Sequence, residues 1–519
     1  MCFYTVIFFL VPIFSTLLPV ESAKILGIFP LLSKSHHSIN QPIVKSLAKK
    51  GHEVTILGHF QSSDNIPNYK EILISETEKL KDWVDTITME DSVNYAGVQN
   101  WIKIFFTIES LGCDKILRLE YIKKLINSKD IDLIMTEIYH VQCFHLLAHK
   151  LNVPLILVLP PTSEMVLDYF VGNPFIPSIT PLRDTKFTTK MNFWQRFENA
   201  FQYALSHWRQ NNNIIYKKDM ERYARDILNI ELPTDEELNR RTALAFYNNH
   251  PSFISRPMSP NVIDIAGIHI KEPRKLPKDV EEFIEGAVHG VILFSFGTTM
   301  KASSITPEKL KAIKDTFAAI PQRILWRVND LNITDVSPNV MLGEWFPQRD
   351  VLEHKKVIAF ISHGGLFGTF EAIHTATPII GIPFIFDQFQ NVNLLVEREV
   401  GIHVDYFSMD KNILIDAIKE ITTNTKYREN IMKWSKIFKD RPMSPLDEAV
   451  YWTEYVIKHQ GAPHLRTTAA DMPLYQYLLL DVLVVLLGFA IGFAYFLRYF
   501  LKILISFLCS KKLKKYKTT

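Results

Sequence analysis

Cysteine is scarce in this sequence, with only four among 519 residues. Cys2 falls in an apolar N-terminal run and Cys509 in a lysine-rich tail, which leaves Cys113 and Cys143 for the body of the chain. Two cysteines cannot build the dense disulfide framework that holds small secreted domains together. The sequence excludes a disulfide scaffold and leaves open whether these two residues pair.

A concentrated excess of one charge is also absent. The chain carries 58 Lys and Arg against 55 Asp and Glu, a formal net charge of +3. Nucleic-acid-binding domains usually show a basic patch or stripe, so we expect no nucleic-acid partner. Hydrophobic residues make up 47% of the chain, which supports a large core, and the length exceeds that of one ordinary domain.

The Gly-x-Gly-x-x-Gly fingerprint of dinucleotide-binding folds does not follow the first predicted strand, residues 24–29. A nicotinamide-dependent dehydrogenase needs that fingerprint there, so this class is disfavoured. The pattern that is present is a strand at 24–29, a polar turn, a helix from about 41 to 50 closed by Gly51, and a strand at 54–57. Strand, helix and strand in this order predict a parallel sheet.

The alternation of strand and helix continues along the chain. Further strands are predicted at 131–135, 155–159, 291–296, 324–328, 340–342, 357–361, 379–382 and near 401–404. A helix is predicted to begin with Thr306 as N-cap and Pro307 as its first residue. Because residues 271–278 are rich in proline and lysine, we predict an α/β protein of two doubly wound domains, 23–275 and 276–460, facing a cleft.

The two ends of the chain carry predicted targeting segments. Residues 1–22 resemble a secretory signal peptide, with an uncleaved anchor as the alternative. Residues 474–497 are apolar enough to span a bilayer, and the lysine-rich tail 498–519 is expected to stay cytosolic. We therefore expect a single-pass membrane protein with its body in the lumen. The Lys-x-Lys-x-x ending resembles an endoplasmic reticulum retrieval signal or is a plain stop-transfer cluster, and Asn332 begins a glycosylation sequon.

The stretch FISHGGLFGTFEA points to an anion site. A buried strand ends at His363, two glycines follow, and a helix is predicted from Leu366. Glycines let backbone amides approach an anion, and a helix N-terminus adds partial positive charge. Standing alone, the stretch is equally typical of a plain turn with a surface histidine.

Neighbouring motifs complete the parts that a nucleotide sugar requires. Trp345 can stack on a base, while Gln348 and Glu371 can bond sugar hydroxyls. Asp387 and Gln388 follow another strand and can bond a hexose. Base, ribose, diphosphate and hexose each have a candidate partner.

With these motifs the sequence resembles the UDP-glycosyltransferases, the family that includes the UDP-glucuronosyltransferases, and its N-terminal phrasing is most similar to the insect members. The resemblance implies the GT-B fold and an inverting reaction without metal or cofactor, with the UDP-sugar as co-substrate. It assigns Trp345 and Gln348 to uridine, His363 and the Gly365 amide to the phosphates, and Glu371 to the ribose. It also places Thr298 near the diphosphate and gives Asp387 and Gln388 to the transferred sugar.

The resemblance also implies a catalytic pair. His36 matches the family's catalytic base, and Glu137 stands where the family places an orienting aspartate. A histidine suits proton transfer because its pKa lies near neutrality. His37 is the competing candidate, whereas His140 and His145 are interpreted as structural.

The expected activity is transfer of a hexose from a UDP-sugar, UDP-glucose being favoured, to a hydroxyl of a small lipophilic acceptor, giving a β-glycoside. No cation is evident in the sequence beside Asp387 to pair with a uronic acid. Phe367, Ala376 and Phe386 replace smaller or more flexible residues and, with Glu137, motivate an alternative: a non-catalytic carrier of UDP-sugars or lipophiles. A homo-oligomer is compatible with the sequence.

Overall fold

Two parallel β-sheets form the framework of the chain. The computed structural model describes residues 22–31, 33–74, 112–137, 141–162, 165–211, 214–297, 305–328 and 333–515. Some sequence predictions fall outside this part of the chain: the signal peptide apart from its last residue, the last four residues of the tail, Thr298, Asn332 and His140.

The first sheet has seven strands in the order β3-β2-β1-β4-β5-β6-β7. The strands are β1 (Lys24–Phe29), β2 (Glu53–Gly58), β3 (Tyr69–Leu73), β4 (Leu133–Glu137), β5 (Leu155–Leu159), β6 (Thr242–Tyr247) and β7 (Val262–Asp264). The strand order reverses between β1 and β4, which pair in register with Ile28 opposite Thr136. Ligands of such sheets bind where the order reverses, at the carboxyl ends of the strands.

The helices of this first lobe cover both faces of its sheet. They are α1 (Lys34–Lys49), α2 (Glu120–Ser128), α3 (Val141–Leu151), α4 (Met165–Val171), α5 (Phe193–Asn211), α6 (Ile214–Arg222) and α7 (Asp235–Asn239). The prediction placed the start of α1 at about residue 41, which is wrong by two turns. Ser33 caps the helix by accepting a hydrogen bond from the His36 amide, as serine commonly does. Hydrophobic periodicity does not reveal the first turn of this helix, because its first buried apolar residue is Ile39.

A disulfide links Cys113 to Cys143, with the two Cα atoms 6.0 Å apart. Both residues are buried in the core of the first lobe, beside Ile116 and Leu147. The sequence left this pairing open, and the structure makes it. Closing a loop with a sequence separation of 30 residues stabilises a fold by about 3–4 kcal/mol through the entropy of the unfolded chain.

The second sheet has six strands in the order β10-β9-β8-β11-β12-β13. They are β8 (Val291–Ser295), β9 (Arg323–Arg327), β10 (Val340–Gly343), β11 (Val357–Ser362), β12 (Ile379–Gly381) and β13 (Gly401–His403). β8 pairs with β11, and Ser295 lies opposite Ser362. The segments after these two strands therefore begin side by side.

The helices of the second lobe follow the predicted alternation. They are α8 (Lys278–Glu285), α9 (Pro307–Ala319), α10 (Gln348–Glu353), α11 (Leu366–Thr375), α12 (Gln388–Glu397), α13 (Lys411–Thr423), α14 (Thr425–Lys439) and α15 (Pro445–Lys458). Thr306 caps α9 through the Lys309 amide and Pro307 is its first residue, which confirms the predicted start. An N–H at the first helical position would have no partner within the helix. Proline has no N–H and therefore suits that position.

The last of these helices crosses to the first lobe. Ala449, Val450 and Val456 of α15 are buried in the same core as the apolar face of α1. Glu454 also pairs with Lys50, at 3.0 Å between the charged atoms. The predicted second domain ended at residue 460, but its final helix packs as part of the first lobe and ties the two lobes together.

The C-terminal segment forms a short helix, α16 (Leu474–Tyr477), and a long one, α17 (Leu480–Lys515). The stretch Leu480–Leu508, 29 residues, is long and apolar enough to cross a membrane. The predicted span of 474–497 began too early, because Leu479 adopts a left-handed backbone conformation with φ 54° and separates the two helices.

Candidate active site

His36 and Glu137 meet where β1 and β4 end. The Nδ1 atom of His36 lies 3.1 Å from Oε2 of Glu137. The Glu137 carboxylate is buried and also accepts hydrogen bonds from the Leu31 amide, at 3.0 Å, and from the Asn40 side chain, at 3.4 Å. Three donors compensate the cost of burying this carboxylate. Because the Glu137 carboxylate accepts a hydrogen bond, Nδ1 of His36 carries the proton and donates it. Nε2 is then left unprotonated and can accept a proton.

His37 has different surroundings. Its ring centre lies 4.9 Å from that of Phe60, and burial lowers its pKa. His145, the other described histidine interpreted as structural, is buried and lies 2.6 Å from the Thr242 hydroxyl. Among the described contacts, His36 is the one of the two neighbouring histidines that is hydrogen-bonded to a carboxylate.

The imidazole of His363 lies between two glycines. A Cβ atom on Gly297 would come within 2.7 Å of the ring, and one on Gly365 within 2.4 Å. Burial, assisted by the Arg327 charge, lowers the pKa of His363 to about 4. The ring is therefore neutral and has one N–H to donate. With Gly365 as N-cap of α11, this N–H and the amides of the first helical turn are groups that could bind an anion.

Arg327 is a site residue that the sequence analysis missed. It ends β9, its guanidinium donates to the Gly297 carbonyl, and it lies 5.4 Å from the Trp345 ring centre. Trp345 is 65% exposed, so one face of its indole stays open to stack on a planar base. The available signal was a basic residue at the carboxyl end of a strand beside the predicted anion site.

Gln348 and Glu371 contact each other. The side-chain amide of Gln348 donates to a Glu371 carboxylate oxygen at 2.6 Å. Burial raises the pKa of Glu371 to about 7, against the opposing effect of that hydrogen bond. The two residues that the resemblance assigned to uridine and ribose are therefore hydrogen-bonded to each other. The carboxyl group of Glu371 gains or loses its proton near neutral pH.

Donor binding should weaken in acid because of Glu371. Ribose hydroxyls donate hydrogen bonds, so they favour the ionised carboxylate, which is lost as the pH falls below about 7. We expect the affinity for UDP-glucose to fall about fivefold from pH 7 to pH 6, as linkage to one proton requires. Calorimetry in buffers of different ionisation enthalpy should detect proton release on binding. The Glu371→Gln variant should bind more weakly and without this pH dependence; an unchanged pH profile in that variant would assign the effect elsewhere.

Asp387 and Gln388 open helix α12. Asp387 accepts a hydrogen bond from Asn391 at 2.8 Å, whereas the Gln388 side-chain oxygen accepts from the amides of Phe384 and Ile385 at 2.8 and 3.1 Å. Gln388 therefore holds the preceding loop with its oxygen, which leaves its NH₂ as the group for a sugar hydroxyl.

The Asp387 carboxyl faces positive groups from the first lobe. Burial raises its pKa, while Asn391, Arg183 and His36 act in the opposite direction. His36 belongs to α1 of the first lobe and Asp387 to the second lobe, so groups from both lobes act on each other here. The sequence shows no cation beside Asp387, whereas in the fold the charge of Arg183, from a distant part of the chain, acts on its carboxyl.

Two of the three unusual residues lie in packing contacts rather than in the donor site. The Phe367 ring lies 4.9 Å from His269 and packs against the core of the first lobe. Ala376 closes the far end of α11 with φ 57°, and its carbonyl accepts from Arg428. Only Phe386, beside Asp387 and with φ 51°, stands where the sequence placed added bulk.

The fold is of the GT-B class, and solved glycosyltransferase structures share it. The calicheamicin glycosyltransferase CalG4 matches with a TM-score of 0.56 and 13% identity over 85% of this chain and 99% of its own. UGT2 of Phytolacca americana, solved with UDP-2-fluoroglucose and pterostilbene, matches with a TM-score of 0.55 and 14% identity over 84% of this chain and 99% of its own.

Sequence comparison gives the family within this class. The model for "UDP-glucoronosyl and UDP-glucosyl transferase" matches residues 24–516. UDP-glucosyltransferase 2 of Dactylopius coccus is 35% identical over 92% of both chains. Human UDP-glucuronosyltransferase 2B7 is 31% identical over 87% of this chain and 88% of its own. The chain belongs to the UDP-glycosyltransferase family, as its motifs indicated, and is an enzyme that transfers sugar from a UDP-sugar.

Proposed function

We propose that this protein transfers glucose from UDP-glucose to a hydroxyl of a small lipophilic acceptor and inverts the anomeric centre to give a β-glycoside. His36 Nε2 removes the acceptor proton as the oxygen attacks C1 of the sugar. The C1–O bond to the diphosphate breaks, and its electron pair leaves with UDP. The anion site of His363 and the α11 amides stabilises that charge, and no step requires a metal or a cofactor.

The observation that carries this proposal is the facing of two half-sites across one cleft. The first lobe holds His36 against a buried carboxylate, the arrangement that makes an imidazole a good base. The second lobe presents Asp387 to the same space, and the charge of His36 acts on it. In the proposed arrangement the acceptor binds on the side of C1 opposite the leaving group, which would give inversion.

Glucose as the donor sugar and a lipophilic acceptor are supported by separate arguments. The similarity to UDP-glucosyltransferase 2 of Dactylopius coccus favours glucose. Aromatic rings lie close to both half-sites, Phe60 against His37 and Phe386 next to Asp387. A largely apolar pocket with few polar anchors suits phenols and lipophilic alcohols.

For location we propose a single-pass protein of the endoplasmic reticulum membrane, with the catalytic lobes in the lumen. The long apolar α17 followed by lysines supports this orientation. Helix α5 adds support, since Trp194 and Phe201 on it are 72% and 59% exposed. Burial raises the pKa of Tyr203 on α5 to about 12, and Tyr477, at the foot of the membrane helix, contributes. Aromatic side chains near a membrane entry point are typical of the bilayer interface.

The carrier alternative loses much of its motivation. Glu137 holds His36 despite its extra methylene, and Phe367 and Ala376 are engaged in packing elsewhere. Only Phe386 keeps the position that the alternative requires.

The test is a donor and acceptor screen with the full-length protein in membranes. Labelled UDP-glucose, UDP-glucuronic acid and UDP-galactose are incubated with a panel of phenols and lipophilic alcohols. We expect β-linked glucosides from UDP-glucose, identified by their anomeric proton coupling. Binding of UDP-glucose without product from any acceptor would instead support the carrier, and an α-linked product would contradict the inverting geometry.

A further inference from the structure

The segment of residues 183–190 in the first lobe docks on helix α12 of the second. The Asn393 side chain donates to the Lys186 carbonyl at 2.8 Å, and Gln390 donates to the Phe187 carbonyl at 3.1 Å. Lys190 pairs with Glu397 at 3.0 Å. These contacts seat the segment on α12, the helix that Asp387 precedes.

Arg183, at the start of this segment, approaches the donor-sugar site. Its guanidinium carbon lies 6.0 Å from the centre of the Phe386 ring, and its charge acts on the neighbouring Asp387. Arginine stacks on aromatic faces because its planar cation is weakly hydrated. The guanidinium therefore lies over the ring of the residue that immediately precedes Asp387.

The backbone of Phe386 gives a second, independent observation. It adopts φ 51°, a left-handed conformation that is unfavourable for a bulky residue and that glycine would adopt without cost. A residue held in such a conformation next to a binding site points to a function for its side chain. The contact with Arg183 supplies that function.

We infer that Arg183 is a positioning residue of the donor-sugar site: held over the Phe386 ring, its cation orients the neighbouring Asp387 carboxylate to accept hydrogen bonds from the hydroxyls of a neutral hexose. This rests on the proposed role of Asp387 in donor binding. Because Arg183 belongs to the other lobe, the sugar half of the donor site is complete only while the lobes are closed, whereas the nucleotide half lies within the second lobe. The cation is matched to one carboxylate, so a uronic acid would add a second negative charge without a partner.

The charges around Asp387 fix the direction of a pH effect. Arg183 and His36 from the first lobe and Asn391 from α12 favour its ionised form against burial. Removing the Arg183 cation leaves burial less opposed, so the pKa of Asp387 rises. The loss of hexose binding should then grow as the pH falls.

The test compares affinities for UDP-glucose and UDP by calorimetry on the full-length protein in detergent. The Arg183→Gln variant should bind UDP as wild type does but bind UDP-glucose about tenfold more weakly, the scale of one charge-assisted contact. Its deficit relative to wild type should increase from pH 7.5 to pH 5.5. Arg183→Lys should recover part of the loss, and the matched control Lys190→Gln, which removes the Lys190–Glu397 pair on the same segment, should have little effect.

Three results would overturn the inference. Equal losses in Arg183→Gln and Lys190→Gln would reduce the segment to lobe packing. Equal weakening of UDP and UDP-glucose would make the effect structural. Loss of UDP-glucuronic acid binding with UDP-glucose unaffected would show that Arg183 reads a substrate carboxylate directly. Since the readout is binding, it remains valid even if the protein transfers no sugar.

Discussion

Replacing His36 with alanine should lower kcat for glucosyl transfer about 10³-fold, the usual contribution of a positioned general base. The acceptor hydroxyl is a poor nucleophile until its proton has a destination, and Nε2 of His36 is the proposed destination. The residues proposed to contact uridine and diphosphate lie in the second lobe, so UDP affinity should stay within twofold of wild type. Initial rates at saturating donor and acceptor, with UDP calorimetry on the same preparation, measure the two effects.

His37→Ala is the matched control for this experiment. It removes the adjacent histidine, whose ring lies against Phe60, and leaves the His36–Glu137 hydrogen bond in place. We expect a loss below tenfold, confined to the acceptor KM. If His37→Ala were the more damaging change, the base would be misassigned. A loss below tenfold in His36→Ala would contradict general-base catalysis by that residue.

Strand prediction succeeded where burial on both faces leaves a continuous apolar run. β5 (Leu155–Leu159) is buried throughout and was predicted at its observed bounds, since parallel strands covered on both sides read in this way. β6 (Thr242–Tyr247) is equally buried but contains threonine and alanines and follows polar helices, so it was missed. β7 has only three residues and gives no periodic signal.

The site separates into local and non-local parts in the same way. His363, Gly365 and Glu371 lie on one strand-turn-helix segment, so their relation could be predicted from spacing alone. The charge of Arg183 acts on Asp387 only because the two lobes dock, and no local pattern encodes that approach. The same holds for the crossing of α15 to the first lobe and for the Cys113–Cys143 bridge. Site residues that lie on one continuous segment can be predicted from the sequence. Contacts between the two lobes become visible only in the folded structure.

Glu137→Gln should be nearly as damaging as loss of the base itself. Glutamine keeps the shape of the buried side chain and an oxygen for the Leu31 amide, but it cannot stabilise an imidazolium on His36. Its NH₂ can also donate to Nδ1, which moves the proton to Nε2 and blocks that nitrogen as a base. The corresponding change in a serine protease triad costs about 10⁴-fold in kcat, and we expect a loss of about 10³-fold here.

The length of the side chain provides the accompanying control. Glu137→Asp keeps the charge but withdraws the carboxylate from Nδ1, which now lies 3.1 Å from Oε2. We expect a loss of about tenfold, because a weakened hydrogen bond still favours the productive tautomer. Thermal unfolding and UDP binding should show that both variants are folded, since the carboxylate is buried and unfolding would mimic inactivity. If Glu137→Gln retained more than a tenth of the wild-type kcat while folded, the carboxylate would serve packing alone and His36 would act without an orienting partner.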